Sequence, residues 1–309
     1  MKILANKNQF LYLTILVFVF ISTSALAISG QVPALKPLNN LIVKENKTYP
    51  PLPLLTEHSP FPVISGEGAL AVDLSSGVSL YEKNPDAKLL PASTTKIVTA
   101  LVALDTYSLD TVIKVGHIKI DGQKMGLASG EEMRMEDLLY GLLVFSANDA
   151  AEALAEGYPG GRAAFVEAMN RKATELSMKN TSFYNPSGLD GNGHVTTARD
   201  LIRVSEVAMR NPEFAKIVGT EKITVGDVSG KKLHHLANIN ELLGKVPGVL
   251  GVKTGWTENA RENLVTYIER EDRKVMIAVL GSQDRFGETK ELIDWIFENY
   301  KWEEVKPTL

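Results

Sequence analysis

Residues 263–280, NLVTYIEREDRKVMIAVL, contain two apolar, β-prone runs separated by a charged turn. The runs Asn263–Glu269 and Val275–Leu280 each have the length of one strand, and the turn Arg270–Lys274 is short. Because short turns join antiparallel neighbours, this stretch predicts antiparallel pairing. An amphipathic helix is predicted to follow, and its apolar face consists of Leu292, Ile293, Ile296 and Phe297.

The rest of the chain divides into an early hairpin, a central block of helices and further late strands. The hairpin comprises Ala69–Leu74 and Val78–Tyr81 around Ser75-Ser76-Gly77. Helical spacing occurs from Ser93 onward and in Met135–Val144, Asp149–Glu156, Ala163–Leu176 and Thr197–Arg210. Strand-like runs follow at Lys222–Val225 and Val249–Lys253. Strands and helices do not alternate, so we expect an α+β (mixed α/β) fold with a mostly antiparallel β-sheet, flanking helices and a helical lobe.

Composition excludes several function classes. The chain has 309 residues, of which 44% are hydrophobic and 23% charged, as in globular proteins. Its net charge of −4 lacks the basic excess that nucleic-acid binding requires. With no Cys there can be no disulfide, thiolate metal site or cysteine nucleophile, and none of the five His lies in an H-E-x-x-H motif. The chemistry must therefore come from oxygen and amine side chains.

The N-terminus has the layout of a secretory signal peptide. Lys2 and Lys7 precede the apolar run Phe10–Ile21, and Ala25-Leu26-Ala27 provides an A-x-A cleavage pattern. We therefore predict a signal peptide over residues 1–27, cleaved after Ala27. The alternative is an uncleaved N-terminal membrane anchor, since the apolar stretch nearly reaches spanning length. Either way, the body of the protein is expected to be exported across the cytoplasmic membrane.

Residues 28–62 are rich in proline, which is typical of an extended, semi-rigid tether. The prolines are Pro33, Pro37, Pro50, Pro51, Pro53, Pro60 and Pro62. The sequence thus predicts a tether at 28–62, a catalytic domain at 63–303 and a short tail at 304–309.

Ser93-Thr94-Thr95-Lys96 is an S-x-x-K motif at the start of a predicted helix. Three-residue spacing places the two functional side chains on one helical face, and the helix N-terminus offers free backbone N–H groups. A serine hydroxyl needs an adjacent base, and a lysine serves as one when its pKa is depressed. An S-x-x-K motif alone is weak support for a catalytic serine, because the same chain contains a second one. Ser229-Gly230-Lys231-Lys232 lies in a predicted hairpin turn, where polar residues are expected simply because the turn is solvated.

Two further triplets change this assessment. Ser146-Ala147-Asn148 falls in the break between two predicted helices, where polar side chains can point into a cleft. Lys253-Thr254-Gly255 ends an apolar strand, and its glycine would let a ligand backbone approach closely. The order S-x-x-K, S-x-N, K-T-G is typical of penicillin-binding proteins and class A β-lactamases.

With these motifs the chain resembles the serine-type D-alanyl-D-alanine carboxypeptidases of the peptidase S11 family, the low-molecular-mass penicillin-binding proteins. The resemblance extends from about Gly68 to Tyr300. It rests on the segments PASTTK (91–96), DLLYGLL (137–143), SANDAA (146–151), NPSGL (185–189), His194, TTARD (196–200) and GVKTG (251–255). It implies a β-lactamase/DD-peptidase-like fold, peptidoglycan stem peptides as substrates, β-lactams as covalent inhibitors, and neither a cofactor nor a metal.

The resemblance also implies a role for each site residue. Ser93 would attack the carbonyl between two D-alanines and Lys96 would take its proton. Ser146 and Lys253 would relay a proton to the leaving D-alanine, and Asn148 would hold the substrate amide or Lys96. The backbone N–H groups of Ser93 and Trp256 would form the oxyanion hole, beside Gly255. Thr254 and Arg285 would bind the terminal carboxylate, Arg285 being assigned by its position ten residues before Trp295; the alternative for it is an ordinary surface arginine.

The chain departs from the family pattern in two places. Ala260-Arg261 replaces the Ala-Gly pair common after K-T-G, and Glu262 follows, which adds charge near the cleft and bears on substrate preference. The chain also stops soon after the closing helix, so we expect it to lack the β-rich C-terminal domain and amphipathic anchor of many relatives. That shorter build resembles members that act as endopeptidases on cross-linked peptidoglycan.

The sequence disfavours three alternatives. A class A β-lactamase would carry a deacylating glutamate in E-x-x-L-N, and no such segment lies between Asn148 and Lys253. A non-catalytic wall-binding protein would be expected to lack a nucleophile or base, yet Ser93 and Lys96 are both present. A metal site at His234-His235 is disfavoured because adjacent strand residues point to opposite faces.

Overall fold

The computed structural model describes residues 49–56 and 60–305. The predicted signal peptide, most of the predicted tether and residues 306–309 of the predicted tail lie outside the described residues. Within the described ranges, no helix has both the length and the apolar character needed to cross a membrane.

A five-stranded antiparallel sheet forms the centre of the domain, with the strand order β3-β2-β10-β9-β8. Its strands are β2 (Gly68–Asp73), β3 (Ser79–Lys83), β8 (Val249–Thr257), β9 (Arg261–Arg270) and β10 (Arg273–Ser282). The predicted hairpin of residues 263–280 is β9 and β10, and the early predicted hairpin is β2 and β3. The expected antiparallel α+β fold is therefore confirmed.

Both faces of this sheet are buried, and β10 shows how its sequence achieves this. Val275, Ile277 and Val279 pack in one apolar cluster with Leu292 and Ile296 of the closing helix α7 (Arg285–Asn299). The alternate side chains of the same strand belong to a second cluster, shared with the helical lobe. Side chains alternate between the faces of a strand, so a strand covered on both sides requires an unbroken apolar run.

The helical lobe begins with a 3-10 turn at Ala92–Thr95 that continues directly into the first α-helix. The helices of the lobe are α1 (Lys96–Thr106), α2 (Met135–Leu143), α3 (Asn148–Glu156), α4 (Gly161–Glu175), α5 (Ala198–Met209) and α6 (Pro212–Val218). Thr197 is the N-cap of α5, because its side chain accepts from the Asp200 N–H at 3.0 Å. Helix α6, which sequence patterning missed, starts at a proline behind an Asn211 cap.

Three two-stranded sheets complete the described part of the chain. They pair β1 (Leu52–Leu55) with β11 (Tyr300–Glu303), β4 (Val112–Lys114) with β5 (Glu132–Arg134), and β6 (Lys222–Gly226) with β7 (Leu233–Ala237).

Part of the predicted tether packs against the rest of the described chain. Leu52–Leu55 pairs with β11, and the Phe61 ring lies 4.8 Å from the Trp295 ring of α7. Extended, proline-containing backbone can join the edge of a small sheet, because proline withholds only its own N–H from the ladder.

Candidate active site

The S-x-x-K motif folds as the sequence predicted, with its serine in the 3-10 turn and its lysine at the first position of α1. The Lys96 Nζ atom donates a hydrogen bond to Ser93 Oγ at 2.7 Å. Lys96 is fully buried, whereas Ser93 is partly exposed. The hydroxyl therefore faces the solvent side of the site and the amine lies directly beneath it.

Burial changes the acid–base behaviour of this lysine. Besides the serine, Lys96 Nζ contacts Asn148 Oδ1 at 2.8 Å and the Ser187 carbonyl at 2.5 Å. Desolvation lowers the pKa of Lys96 from 10.5 to about 7, against the opposing influence of the Glu152 and Asp149 carboxylates. A substantial fraction of the amine is then neutral near pH 7, so its lone pair is available to a proton on Ser93.

Two glycines let the backbone close tightly around Ser93. A Cβ atom on Gly188 would lie 1.9 Å from the Ala92 carbonyl oxygen, and Gly188 has a φ of +89°. A Cβ on Gly255 would lie 3.0 Å from the Ser93 nitrogen. The sequence predicted a close approach of a ligand backbone at Gly255, and in the structure the turn that carries Ser93 makes a close approach there.

A second lysine–serine pair faces the first. Lys253 Nζ donates to Ser146 Oγ and to the Thr254 carbonyl, each at 2.9 Å. Burial lowers the pKa of Lys253, and the positive charges of Lys96 and Arg285 lower it further. Ser146 occupies the break between α2 and α3 with a left-handed φ of 63°. Such conformations in non-glycine residues cluster at functional sites.

An open cleft of about 840 Å³ connects these groups. Its lining includes predicted site residues from all three motifs and from α7: Ser93, Ser146, Asn148, Thr254, Gly255, Trp256 and Arg285. Lys96 and Lys253 lie beneath this surface, and each donates a hydrogen bond to a serine that lines the cleft. All nine residues proposed from the sequence thus lie at one site, although their catalytic roles stay predictions.

The start of α7 contributes Arg285 to the lining of the cleft. Arg285 is mostly buried, and its Nη1 donates to the Gly255 carbonyl at 2.9 Å, so it is not an ordinary surface arginine. Glu262, one of the departures from the family pattern, accepts the Arg285 backbone N–H at 2.9 Å. Arg261 points instead toward Glu67, at 3.5 Å, and is exposed. Of the two added charges, Glu262 therefore caps the start of α7, and Arg261 forms an exposed ion pair.

Sequence reasoning missed two contributors to the site. The Ser187 carbonyl accepts a hydrogen bond from Lys96. It is a backbone group, so the residue type at this position does not predict the contact. The segment Asp121–Gln123 forms one wall of the cleft and lies outside any helix or strand. Its position is set by contacts with α3 that only the folded chain reveals.

The other motifs considered from the sequence have structural explanations. The second S-x-x-K lies in the turn between β6 and β7, where Ser229 Oγ donates to Asp227. On β7, His234 is buried and His235 is exposed, as expected for opposite faces of a strand. Within residues 49–56 and 60–305, no group of three or more His, Asp or Glu side chains could hold a metal ion.

Comparison with known proteins places this site in a family. The family model for D-alanyl-D-alanine carboxypeptidase, peptidase S11, matches residues 55–284, which include all three motifs. D-alanyl-D-alanine carboxypeptidase DacF of Bacillus subtilis is 34% identical over 245 residues, covering 76% of this chain. The chain spans 63% of the length of that relative. A D-alanyl-D-alanine endopeptidase of Pseudomonas aeruginosa is 35% identical over 242 residues, covering 75% of this chain and 77% of its own length.

The fold agrees with a solved structure of the same kind. The crystal structure of the Streptomyces K15 DD-transpeptidase superposes with a TM-score of 0.73 at 31% identity, covering 78% of this chain and all of that one. The family resemblance and the DD-peptidase-like fold predicted from the sequence are thereby confirmed. The chain belongs to the peptidase S11 family of D-alanyl-D-alanine carboxypeptidases.

Proposed function

We propose that the protein is a serine DD-peptidase that hydrolyses the D-Ala-D-Ala bond of peptidoglycan stem peptides and that requires no cofactor. One observation carries the proposal: a buried lysine of depressed pKa lies 2.7 Å from a serine hydroxyl that opens into the cleft. Membership of the S11 family gives the same activity by analogy.

Acylation begins with the Ser93–Lys96 pair. Ser93 Oγ attacks the carbonyl carbon of the penultimate D-alanine while its proton passes to Lys96 Nζ. The C–N bond then breaks as the leaving amine of the terminal D-alanine takes that proton, relayed from Lys96 through Ser146 and Lys253. Water next attacks the ester carbonyl and gives a proton to Lys96, which passes it to Ser93 Oγ as the ester C–O bond breaks and the acid product leaves.

Negative charge develops on the substrate carbonyl oxygen during the attack, and hydrogen-bond donors are needed to stabilise it. The backbone N–H groups of Ser93 and Trp256 are proposed to form this oxyanion hole, each worth ~3–4 kcal/mol in comparable enzymes. The close packing of Gly255 against the Ser93 nitrogen supports the assignment, because it brings β8 beside the nucleophile turn. Trp256 is 62% exposed, so its indole is available to the substrate.

The terminal carboxylate of the substrate is proposed to bind Thr254 and Arg285. The Thr254 hydroxyl is buried and has no hydrogen-bond partner in the described part of the chain, so it can donate to a ligand. Arg285, whose Nη1 donates to the carbonyl of the adjacent Gly255, adds a positive charge next to Thr254. Recognition of a free carboxylate there favours cleavage next to a chain terminus.

β-Lactams are proposed to acylate Ser93 as substrate mimics and to remain attached. The sequence between Asn148 and Lys253 has no E-x-x-L-N segment to activate a deacylating water. Efficient β-lactam hydrolysis is therefore not expected. Export across the cytoplasmic membrane and cleavage after Ala27 are parts of the same proposal, supported by the N-terminal sequence pattern. A role in cell-wall remodelling and cell shape follows from the proposed peptidoglycan substrate.

Acylation is expected to depend on pH through Lys96. The lysine acts as a base only when neutral, and its pKa lies at about 7, so protonation removes the base as the pH falls. The acylation rate constant should fall about tenfold per pH unit below pH 7 and level off above it. Stopped-flow measurement with a fluorescent penicillin between pH 5 and pH 9 tests this. A rate that stays constant down to pH 5 would contradict the role of Lys96.

Substrate preference is the second expectation. Incubation with a peptidoglycan monomer that carries a pentapeptide and with a cross-linked peptidoglycan dimer distinguishes carboxypeptidase from endopeptidase activity. Release of D-alanine from the monomer is the expected result, by carboxypeptidase action. The endopeptidase relative makes dimer cleavage the alternative, and a faster rate on the dimer would establish that preference instead.

A further inference from the structure

Residues 121–128, here called the wall loop, are held by hydrogen bonds from α3 and from the β6–β7 hairpin. The proposed reaction steps assign no part to these contacts. The wall loop lies between β4 and β5 and contains no helix or strand. Asp121, Gly122 and Gln123 at its start line the cleft. A loop without regular structure depends on side chains of its neighbours to fix its backbone.

The start of the wall loop determines how Asn148 faces Lys96. The Asn148 backbone N–H donates to the Gln123 carbonyl at 2.7 Å, and its Nδ2 donates to the Asp121 carbonyl at 2.7 Å. With Nδ2 committed to that carbonyl, Oδ1 points to Lys96 Nζ at 2.8 Å. Movement of the loop would free the amide to rotate and would remove an acceptor from the base.

Asp149, the next residue of α3, anchors the rest of the wall loop. Its carboxylate accepts the backbone N–H groups of Met125 at 3.0 Å, Gly126 at 2.9 Å and Leu127 at 3.0 Å. Asp149 is 4% exposed, so these bonds are shielded from water. Hydrogen bonds to an ionised acceptor are the strong ones, and here three converge on one side chain.

The hairpin β6–β7 holds the same loop segment through its carbonyls. Lys232 Nζ donates to the Gly126 carbonyl at 2.8 Å and to Glu131 Oε2 at 2.7 Å. His234 lies with Nδ1 3.0 Å from the Met125 carbonyl and Nε2 2.6 Å from Glu131 Oε1. The loop is thus fixed by α3 through its N–H groups and by the hairpin through its carbonyl groups.

We propose that Asp149 is a positioning residue for acylation and that Lys232 and His234 of the hairpin assist it. Together they keep the wall loop where the Asp121 carbonyl orients Asn148, and Asn148 in turn orients Lys96 against Ser93. The inference rests on the proposed function, because it assigns the loop a part in the reaction of Ser93.

Asp149→Asn in the full chain is the first test. The amide replaces one acceptor oxygen with an NH₂ group that faces loop N–H donors, so the anchor loses at least one of its three hydrogen bonds. The rate constant of acylation by a fluorescent penicillin should fall on the order of 10- to 100-fold, as expected when a catalytic group is misplaced. A wild-type rate for this variant would overturn the proposal.

A double-mutant cycle separates positioning from general loss of structure. If Asp149 acts through Asn148, then Asp149→Asn in an Asn148→Ala background should reduce acylation little further. The same fold-loss in both backgrounds would show that Asp149 acts independently of Asn148, which would also overturn the proposal.

Asp200→Asn provides the matched control. Asp200 is also buried, at 3% exposed, and it anchors a different loop through the Asn180 N–H at 3.0 Å. It should reduce thermal stability without lowering the acylation rate. A loss of acylation as large as that of Asp149→Asn would show a general stability effect and would contradict the inference.

Lys232→Met tests the hairpin side with little risk to folding, since that side chain is 41% exposed. Acylation should fall severalfold, and the melting temperature should fall only slightly, because His234 and the Ala128 N–H still pair with Glu131. An unchanged rate would refute the part assigned to the hairpin. Wild type that is not acylated at all would contradict the proposed function itself, a result distinct from wild-type acylation with unaffected variants.

Discussion

Lys96→Met should lower the acylation rate constant on the order of 10³-fold or more, because the Ser93 hydroxyl loses the base that takes its proton. Methionine fills most of the lysine volume, so the buried site stays packed. The rate constant is measured with a fluorescent penicillin and with a D-Ala-D-Ala peptide. Both should fall together, since both substrates react at the same serine.

Lys172→Met is the control for this result. Lys172 pairs with Asp105 and Glu175 at 2.8 Å on the surface of α4, away from the cleft. It should keep the wild-type acylation rate. Retention of acylation within tenfold of wild type by Lys96→Met, at an unchanged melting temperature, would show that another group is the base.

Gly188→Ala should unfold or severely disturb the nucleophile turn. A Cβ atom 1.9 Å from the Ala92 carbonyl oxygen cannot be accommodated without moving backbone, and the φ of +89° adds strain. We expect a loss of about 3 kcal/mol or more in the free energy of unfolding. That corresponds to a fall of roughly 10 °C in Tm, measured by calorimetry, together with loss of penicillin labelling.

Gly193→Ala separates the effect of backbone strain from that of the steric clash with the Ala92 carbonyl oxygen. Gly193 lies in the same loop region with a φ of +80°, and a Cβ there meets nothing within 4 Å. This variant should lose only about 1 kcal/mol and should keep its labelling. Equal effects of the two substitutions would contradict the importance of the close contact beneath Ser93.

Local chemistry could be predicted from the sequence because it depends on short spacing. Ser93 and Lys96 are three residues apart at a helix start, and that spacing alone places Nζ within reach of Oγ. The antiparallel core followed from the same kind of reasoning, since the apolar runs of β9 and β10 flank a short turn.

Long-range proximity could not be derived in this way. Lys253 and Ser146 are 107 residues apart, yet their side chains meet at 2.9 Å. No periodicity connects them, and their pairing was expected only because the family resemblance implied it. The same limit applies to Arg285, whose place at the cleft depends on how α7 packs against the sheet.

Backbone contributions and very short elements carry little sequence signal. The Ser187 carbonyl and the wall loop shape the site through main-chain atoms, which are the same in every residue. Strands β1, β4, β5 and β11 have only three or four residues each, too few for a pattern of alternation. Their formation depends on partners far away in the chain.

Intact-mass spectrometry after incubation with benzylpenicillin tests the central claim most directly. Wild type should gain the mass of one penicilloyl group, located by peptide mapping on the segment that contains Ser93, and Ser93→Ala should gain none. Equal labelling of Ser93→Ala, or an adduct located on any other residue, would contradict the assignment of Ser93 as the nucleophile.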